Sequence, residues 1–478
     1  MALDDSSYDD VSQSRTTLDG QKVPVGPSSH KTLPSGARLY ENRFFSSDAT
    51  ITEARKQYLK VIVGGVVITS IFIFAIFSIL WGAFYRTPAR NLPGWIVDFD
   101  DGVIGQSVVA GLTAPNSASK ITWTVVSAEQ FPGGVDDVSH AVLEEKAWIA
   151  VTINSGSSDG LKAALTTPNA AYDGTQAISV FGVEARNENA FRTMLRPSAE
   201  GALTAISARF ASQLAQSLSN SQVISQLLAT SPQTVTSPIS YQFVNLRPFN
   251  QTLASVVTFT GLIFVVILSF FVVVCLIRYS PFLVDLTFFE MIGNGAREST
   301  NLHRLLTFRS LLALRLTTTF VAYFFLSLFY SLLSLAFQFN VSLKFGHSGF
   351  LVFWMLNLCA MCALGLAIES MLTLLTPKFI PFFLLTWIIA NVATCAFPIE
   401  ALPILYRYGY ASPFYNMSKA ARTIVFGTRN RVGFHFGILL IWAVISCITL
   451  ALFQFLARRH DAAATKKELT GEKESLEG

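Results

Sequence analysis

Charged residues are scarce in this chain. Asp, Glu, Lys and Arg make up 14% of its 478 residues, whereas they make up about 25% of a typical soluble domain. Hydrophobic residues account for 51%, including 40 phenylalanines, and the mean hydropathy is +0.46. This balance predicts a multi-pass membrane protein whose partners include membrane lipids. The net charge of +4 is too small to indicate a nucleic-acid partner, and no nucleic-acid-binding motif accompanies it.

Residues for redox, metal or nucleotide chemistry are also few. All five cysteines lie in segments predicted to span the membrane, so the polar part of the chain has no disulfide. Cys359 and Cys362 form a C-x-x-C motif, which on an apolar helix indicates small buried residues rather than a metal or redox site. The chain has neither a G-x-x-x-x-G-K-S/T motif for ATP nor an H-E-x-x-H zinc motif. We therefore expect no cofactor, no metal and no enzymatic activity.

One hydrolase-like pattern does occur. Gly156-Ser-Ser-Asp-Gly matches G-x-S-x-G and lies between a predicted strand and a predicted helix. A nucleophilic serine would need a histidine base later in the same domain, and the next histidine is His303, in a predicted cytosolic loop. The pattern therefore favours a turn that caps the next helix over a catalytic site.

Six apolar segments are long enough to cross a bilayer, for which about 20 residues are needed: 61–84, 253–277, 311–337, 349–375, 379–397 and 433–457. Three bases, Arg55, Lys56 and Lys60, precede the first span and place the N-terminus in the cytosol by the positive-inside rule. Arg458 and Arg459 follow the last span and place the C-terminus there too. Residues 1–60 read as a disordered cytosolic tail and 458–478 as a charged cytosolic tail.

The polar residues 85–250 separate the first span from the second and form a predicted extracytosolic α+β domain with a small mixed sheet. Its predicted strands are 95–99, 121–126, 148–153, 178–183 and 239–244. Its predicted helices are 135–146, 157–165 and one or two long helices within 187–229, broken near Pro197. The fold class is thus a polytopic α-helical membrane protein with six transmembrane helices and one inserted α+β domain.

Two connections between spans have unusual compositions. Residues 278–309 predict short amphipathic helices on the cytosolic face. Residues 398–432 predict an outer, interfacial hairpin with five bases, an arrangement that opposes the positive-inside trend unless these bases lie at lipid headgroups. The three N-x-S/T sequons all fall on the predicted outer side, which makes Asn250, Asn340 and Asn416 glycosylation candidates.

Several polar residues lie in or beside the predicted spans. Arg315 and Glu369 are the charges deepest in apolar sequence, and a structural pair or snorkelling to the interface is favoured over an ion or proton site. Asn357 and Asn391 lie nearer mid-membrane, where they either hydrogen-bond between helices or line a path. Together with Tyr406, Tyr408 and Tyr410 of the hairpin, these two asparagines are the candidate substrate contacts.

Separated fragments carry a family resemblance: Trp81-Gly-Ala-Phe-Tyr-Arg, Val97-Asp-Phe-Asp, Glu145-Lys-Ala-Trp-Ile-Ala-Val-Thr-Ile-Asn, Asn245-Leu-Arg-Pro-Phe-Asn, Gly261-Leu-Ile, Ser269-Phe-Phe, Ser412-Pro-Phe-Tyr-Asn-Met and Ala420-Ala-Arg-Thr-Ile-Val-Phe-Gly-Thr-Arg. In this order they resemble the fungal nitrosoguanidine-resistance proteins. The resemblance runs from about Trp81 to Ala457. It implies a multi-pass plasma-membrane protein linked to drug resistance.

The layout also resembles, more distantly, the permease domains of ABC exporters. By that resemblance residues 288–309 would occupy the position of a coupling helix and 398–432 that of a re-entrant hairpin. The implied partners are a second copy of the chain or a separate nucleotide-binding protein. Two hypotheses follow: an export-type permease for toxic or amphipathic compounds or lipids, and a non-transporting organiser of membrane composition or stress response.

Overall fold

The computed structural model describes residues 44–85, 87–115, 119–219, 223–274 and 306–477. The chain divides into two compact units, Met1–Ile71 and Phe72–Gly478. Most of the described residues of the first unit belong to helix α1, which begins at Ala49. The predicted disordered tail 1–60 is therefore wrong for residues 49–60, while residues 1–43 lie outside the described part of the chain.

Long apolar helices account for most of the membrane part. They are α1 (Ala49–Phe72), α2 (Ser78–Tyr85), α10 (Gly261–Val274), α11 (Phe308–Ala336), α12 (Gly349–Val392) and α14 (Val432–Glu477). Five stretches are long and apolar enough to cross a membrane: Ile51–Tyr85, Val256–Val273, Phe308–Ala336, Gly346–Leu375 and Val432–His460. The prediction of a multi-pass membrane protein is confirmed, with five candidate spans among the described residues. The end of the predicted second span and nearly all of the predicted cytosolic loop 278–309 lie outside the described residues.

The α12 helix contains the fourth span and residues 379–392 of the segment predicted as the fifth, 379–397. The two predicted spans imply a turn at residues 376–378, yet these residues are helical too. The contacts nevertheless show that the chain reverses. Arg315 of α11 touches both Glu369 of α12 and Gln454 of α14, whereas Trp387, later in α12, packs 5.2 Å from Trp442, which lies nearer the start of α14. The returning part, Phe379–Val392, is too short to count among the five spans.

The polar domain between α2 and α10 contains a five-stranded mixed sheet, which confirms that prediction. Its strands are β1 (Leu92–Asp98), β2 (Ile121–Val126), β3 (Ile149–Ile153), β4 (Ile178–Gly182) and β5 (Tyr241–Asn245), in the order β2-β1-β3-β4-β5. Only the β3–β4 pair is antiparallel. We call residues 92–245 the sheet domain.

Helices cover both faces of this sheet. They are α3 (Val103–Thr113), α4 (Val135–Leu143), α5 (Ser157–Thr166), α6 (Glu188–Ala190), α7 (Arg196–Leu218), α8 (Val223–Thr230) and α9 (Gln233–Thr236). In the central strand β3, Ile149, Val151 and Ile153 point into the core beneath α3, α5 and α7, while Ala150 points into the core beneath α4. Successive side chains of a strand face opposite sides, so every residue of β3 is buried.

Two helices differ from expectation. The sequence did not predict α3, whose β-branched and glycine residues suggest no helix, although Ile104, Val108 and Leu112 recur at the helical spacing and are buried. The expected break near Pro197 is a π-helical turn at Phe191–Leu195, after which α7 begins with Pro197 in its first turn, where proline is tolerated.

The membrane helices are joined by close packing. Gly365 of α12 lies against Tyr323 of α11, and a Cβ at Gly365 would clash with the Tyr323 hydroxyl. Tyr323 in turn donates to the Ser269 carbonyl of α10 over 3.4 Å. A glycine is therefore required where these three helices meet.

Candidate functional site

The charges predicted to be intramembrane meet in the structure. Arg315 lies with Nη2 2.7 Å and Nε 2.8 Å from Glu369 Oε1, and both side chains are buried. The guanidinium also donates to Thr373 Oγ1, at 2.8 Å, and to Gln454 Oε1. One arginine thus joins α11, α12 and α14, which is the arrangement expected of a structural pair.

The two candidate asparagines bind protein atoms. Asn357 is fully buried and donates to Ser331 Oγ of α11 over 2.8 Å, while its Oδ1 has no partner among the described residues. Asn391 Oδ1 accepts from Ser412 Oγ at 2.7 Å and from the Phe414 amide at 3.3 Å. Both amides therefore hold segments of the protein together, and Asn357 keeps one free acceptor.

The candidate tyrosines of the hairpin differ in exposure. Tyr406 is buried and donates to the Ile79 carbonyl over 2.7 Å. Tyr408 is partly exposed and donates to the Ala390 carbonyl over 2.7 Å, and Tyr410 is 44% exposed with its ring against Tyr415. The Tyr406 and Tyr408 rings lie 6.3 Å apart, and their hydroxyls donate to different backbone carbonyls.

The three predicted glycosylation candidates also differ in solvent exposure. Asn250 and Asn340 are exposed. Asn416 is fully buried and donates to the carbonyls of Tyr410 and Ser412, while its Oδ1 lies 2.8 Å from His435 Nδ1. An amide buried in this way offers no attachment point for a glycan in the folded protein.

The serine of the G-x-S-x-G pattern has a structural role. Ser158 Oγ donates to Asp100 Oδ2 and accepts from the Ile104 amide at 3.0 Å, and the Ser158 amide donates to Asp100 Oδ1 at 2.9 Å. These bonds tie the start of α5 to the start of α3. The turn favoured from the sequence is therefore present.

A buried group of charges lies where the sheet domain meets the membrane helices. Four segments converge there: the turn between α4 and β3, the residues after β4, the residues after β5, and α13 (Pro413–Phe426), most of which is buried. We call six of its residues the junction cluster: Glu145, Glu184, Arg186, Glu188, Lys419 and Arg422. The predicted placement of the hairpin bases at lipid headgroups is thus wrong for Arg422, which is buried against Glu188 of the sheet domain. Lys419 lies beside Glu145 of the same domain.

Glu145 adopts an unusual backbone conformation. Its φ is +60°, in the left-handed region, at the position after α4 where glycine is preferred. A side chain there costs about 1–2 kcal/mol, so the position is strained. The carboxylate lies 3.5 Å from Lys419 Nζ and 3.6 Å from Arg186 Nε. Burial raises the pKa of Glu145, but Lys419 and Arg186 outweigh burial and leave the pKa below its ordinary value.

Arg186 is held between the sheet domain and α13. Its guanidinium carbon lies 3.5 Å from the centre of the Trp148 ring, and Nη1 donates to the Ala147 carbonyl over 2.8 Å. Burial lowers the pKa of Arg186, an effect that Glu145 opposes. A cavity of about 20 Å³ beside it is also lined by Glu400, Tyr415 and Lys419. The buried Nε of Arg186 has no hydrogen-bond partner among the described residues.

Arg422 of α13 makes a short contact with the sheet domain. Its Nη1 lies 2.6 Å from Glu188 Oε2, an ion pair without hydrogen-bond alignment, and 3.1 Å from the Ala185 carbonyl. Its Nη2 lies 3.4 Å from Thr258 Oγ1, at the start of the second span. Arg422 therefore connects the sheet domain, α13 and a membrane span.

Glu184 binds the segment that leads into that span. Its carboxylate accepts from Arg192 Nε at 2.6 Å, Asn245 Nδ2 at 2.8 Å and the Phe249 amide at 3.0 Å. Burial raises the pKa of Glu184, but the Phe249 amide and the two side-chain donors together bring it below its ordinary value. The Phe249 ring then packs 4.9 Å from Phe426 of α13.

A family model described as a protein of unknown function, DUF3533, matches residues 65–448. The chain belongs to this family. It is also 25% identical, over 98% of its own length and 93% of the other protein, to a Saccharomyces cerevisiae protein named as the uncharacterized endoplasmic reticulum membrane protein YJR015W. No solved structure matches the chain significantly.

In this DUF3533 member the sequence alone did not single out the carboxylates of the junction cluster. Glu145 opens one of the fragments that carry the resemblance, and Arg422 lies in another. The structure brings these fragments together, although they are far apart in the chain. Glu184 and Glu188 lie in none of these fragments and in no motif that the sequence analysis identified. The arrangement can join two parts of the molecule rigidly, and its described residues contain no cluster suited to a metal ion.

Proposed function

We propose that this protein is an export-type permease, or one subunit of such a permease, of the drug-resistance type that acts on toxic or amphipathic small molecules or lipids. One observation carries the proposal: the junction cluster joins the sheet domain to both α13 and the second span, mainly through Arg422. A rearrangement of the spans would therefore move the sheet domain with them. Such coupling suits a transporter whose outer domain changes position as substrate leaves.

The topology that goes with this proposal has six crossings. The returning half of α12, Phe379–Val392, together with the following residues to 397, would form the fifth. Both termini would then be cytosolic and the sheet domain extracytosolic. The yeast relative is named as an endoplasmic reticulum protein, and the plasma membrane is our proposed location for this chain. The lumen of the endoplasmic reticulum and the cell exterior are the same topological side.

Energy for export would come from outside the chain. The sequence has no ATP-binding motif, so the proposal requires a gradient, a downhill substrate or a partner with a nucleotide-binding domain. A homodimer is the proposed assembly, with the transport path between two copies. We also propose that the chain has no enzymatic activity of its own.

The decisive experiment compares substrate movement with and without the protein. Purified protein in liposomes and cells that lack or overproduce it should differ from their controls in efflux of a fluorescent amphipathic compound. An Arg422→Met variant that still folds should lose this efflux, because the coupling is broken. An Arg407→Met variant, which removes an exposed base of the same segment outside the junction cluster, should retain it. Equal efflux with and without the protein, in liposomes and cells, would refute the proposal.

A second candidate function is a non-transporting organiser of membrane composition. It is favoured by the candidate substrate contacts Asn391, Tyr406 and Tyr408, each of which is hydrogen-bonded to the protein itself. This function predicts altered lipid composition in cells that lack the protein, together with no movement of lipid or drug in liposomes. Lipidomics of the deletion strain, run beside the liposome assay, separates the two functions.

A further inference from the structure

A second cavity lies beside the junction cluster, at the start of α14. Its volume is about 60 Å³, whereas one water needs roughly 10–15 Å³ of such space. It therefore has room for several waters or for one tetrahedral oxyanion. Its lining includes the cationic side chains of Lys419, Arg429 and Arg431, the imidazole of His435 and a single acid, Glu145.

The bases around this cavity are only partly neutralised. Lys419 Nζ is 3.5 Å from Glu145 and Arg429 Nε is 3.8 Å from Glu144, whereas aligned charge-assisted hydrogen bonds are about 2.7–2.9 Å long. Arg431 is exposed and forms no ion pair with any residue that the structure describes. The lining therefore keeps an excess of positive charge that an anion can neutralise.

The threonine hydroxyls around the cavity already have protein partners: Thr423 Oγ1 donates to the Arg429 carbonyl over 3.0 Å and lies 3.3 Å from Thr428 Oγ1. Thr423, Thr428 and Tyr415 also line the cavity. The three cations around this small cavity match the several acceptor oxygens of a phosphate group, with which arginine forms paired hydrogen bonds. Glu145 is a weak obstacle, since Lys419 and Arg186 already lie beside its carboxylate.

The position in the chain points to the membrane surface. The apolar span Val432–His460 begins directly after Arg431. Arg429 and Arg431 therefore stand at the boundary of the hydrocarbon region, where long basic side chains can reach the phosphates of lipid headgroups.

We propose that this cavity binds a phosphate-bearing anion, held by Lys419, Arg429 and Arg431. The phosphate belongs either to a lipid headgroup or to a free phosphate compound. The inference goes beyond the proposed function, because it requires binding and no transport.

The test uses the full-length purified protein in two arms. In the first, inorganic phosphate is titrated into protein in a neutral detergent and binding is measured by calorimetry. In the second, the protein is mixed with phosphatidylcholine micelles with or without phosphatidic acid, and retained lipid is counted by native mass spectrometry. Binding in the first arm identifies a free phosphate site, and binding in the second alone identifies a headgroup site.

Variants show whether the cavity is the site. Arg431→Gln, which breaks no described ion pair, should weaken binding about tenfold, the loss expected for one charge-assisted contact. Arg407→Gln removes an exposed base of the same segment outside the cavity and should leave binding unchanged. The double change Lys419→Gln with Glu145→Gln removes a cation without leaving its carboxylate unpaired, and should weaken binding further while the protein stays folded. Absence of binding in both arms, or equal effects of Arg431→Gln and Arg407→Gln, would overturn the proposal.

Discussion

Replacing Arg422 by methionine tests whether the junction cluster holds the sheet domain to the membrane helices. Arg422 and Glu188 are both buried and lie 2.6 Å apart. Removal of one member of a buried ion pair leaves the other charge unpaired and costs about 3–5 kcal/mol. The Ala185 carbonyl also loses a donor. We expect Arg422→Met to lower the free energy of unfolding by about this amount.

The double variant decides whether the pair itself is responsible. Arg422→Met combined with Glu188→Met removes both charges, and exchange of a buried pair for apolar residues is often neutral. Most of the lost stability should therefore return. The measurement is denaturant unfolding in detergent, followed by tryptophan fluorescence, since buried Trp148 lies in the same junction. Arg407→Met, at an exposed position, is the matched control. If the double variant loses the sum of the two single losses, the pair does not couple the two parts and the reasoning fails.

Three further predictions concern other residues. Burial raises the pKa of Glu145, but nearby cations outweigh burial and hold this pKa below 4.5. The contribution of the Glu145 carboxylate to stability is therefore present above pH 4.5 and is lost as the pH falls through the lowered pKa. Glu145→Gln should flatten the acid side of the stability–pH curve measured by thermal unfolding. Arg315→Leu should destabilise by about 3–5 kcal/mol, and Glu369→Leu in the same chain should restore most of the loss in detergent unfolding. If the sheet domain is extracytosolic, Asn340→Gln should abolish one glycosidase-sensitive mobility shift in gels, whereas Asn416→Gln should change nothing because Asn416 is buried.

Spans and strands could be predicted from the sequence, because each is marked by a pattern within a short run of residues. The long apolar runs, which contain few charges, identified five stretches able to cross a membrane, since nothing but a membrane or a large core accommodates such runs. Alternating and β-branched runs located the five strands, although β1 begins at Leu92 rather than at residue 95. Helix α3 was missed because its residues are weak helix formers, and its helicity depends on packing of Ile104, Val108 and Leu112 against the sheet.

The junction cluster could not be predicted from the sequence, for a different reason. Arg422 binds the Ala185 carbonyl from a position 237 residues away in the chain, and a single sequence contains no information about which charges pair over such distances. The bases of residues 398–432 were therefore assigned to the nearest anions that a sequence suggests, lipid headgroups. The structure shows that a carboxylate of the sheet domain meets Arg422 instead, and that a second carboxylate lies beside Lys419.

The use of charge at this junction has a physical consequence. Apolar contacts such as that between Phe249 and Phe426 are non-directional and permit small shifts between packed surfaces. Buried ion pairs add little net stability, but an unpaired buried charge is so costly that only one relative position satisfies Arg422, Glu188, Lys419 and Glu145 together. We therefore expect the sheet domain, α13 and the start of the second span to move as one body. A short thiol crosslink between Phe249→Cys and Phe426→Cys, whose rings lie 4.9 Å apart outside the junction cluster, should then leave efflux or lipid phenotypes unchanged relative to the same variant without crosslinking, and loss of function on crosslinking would show that this junction opens.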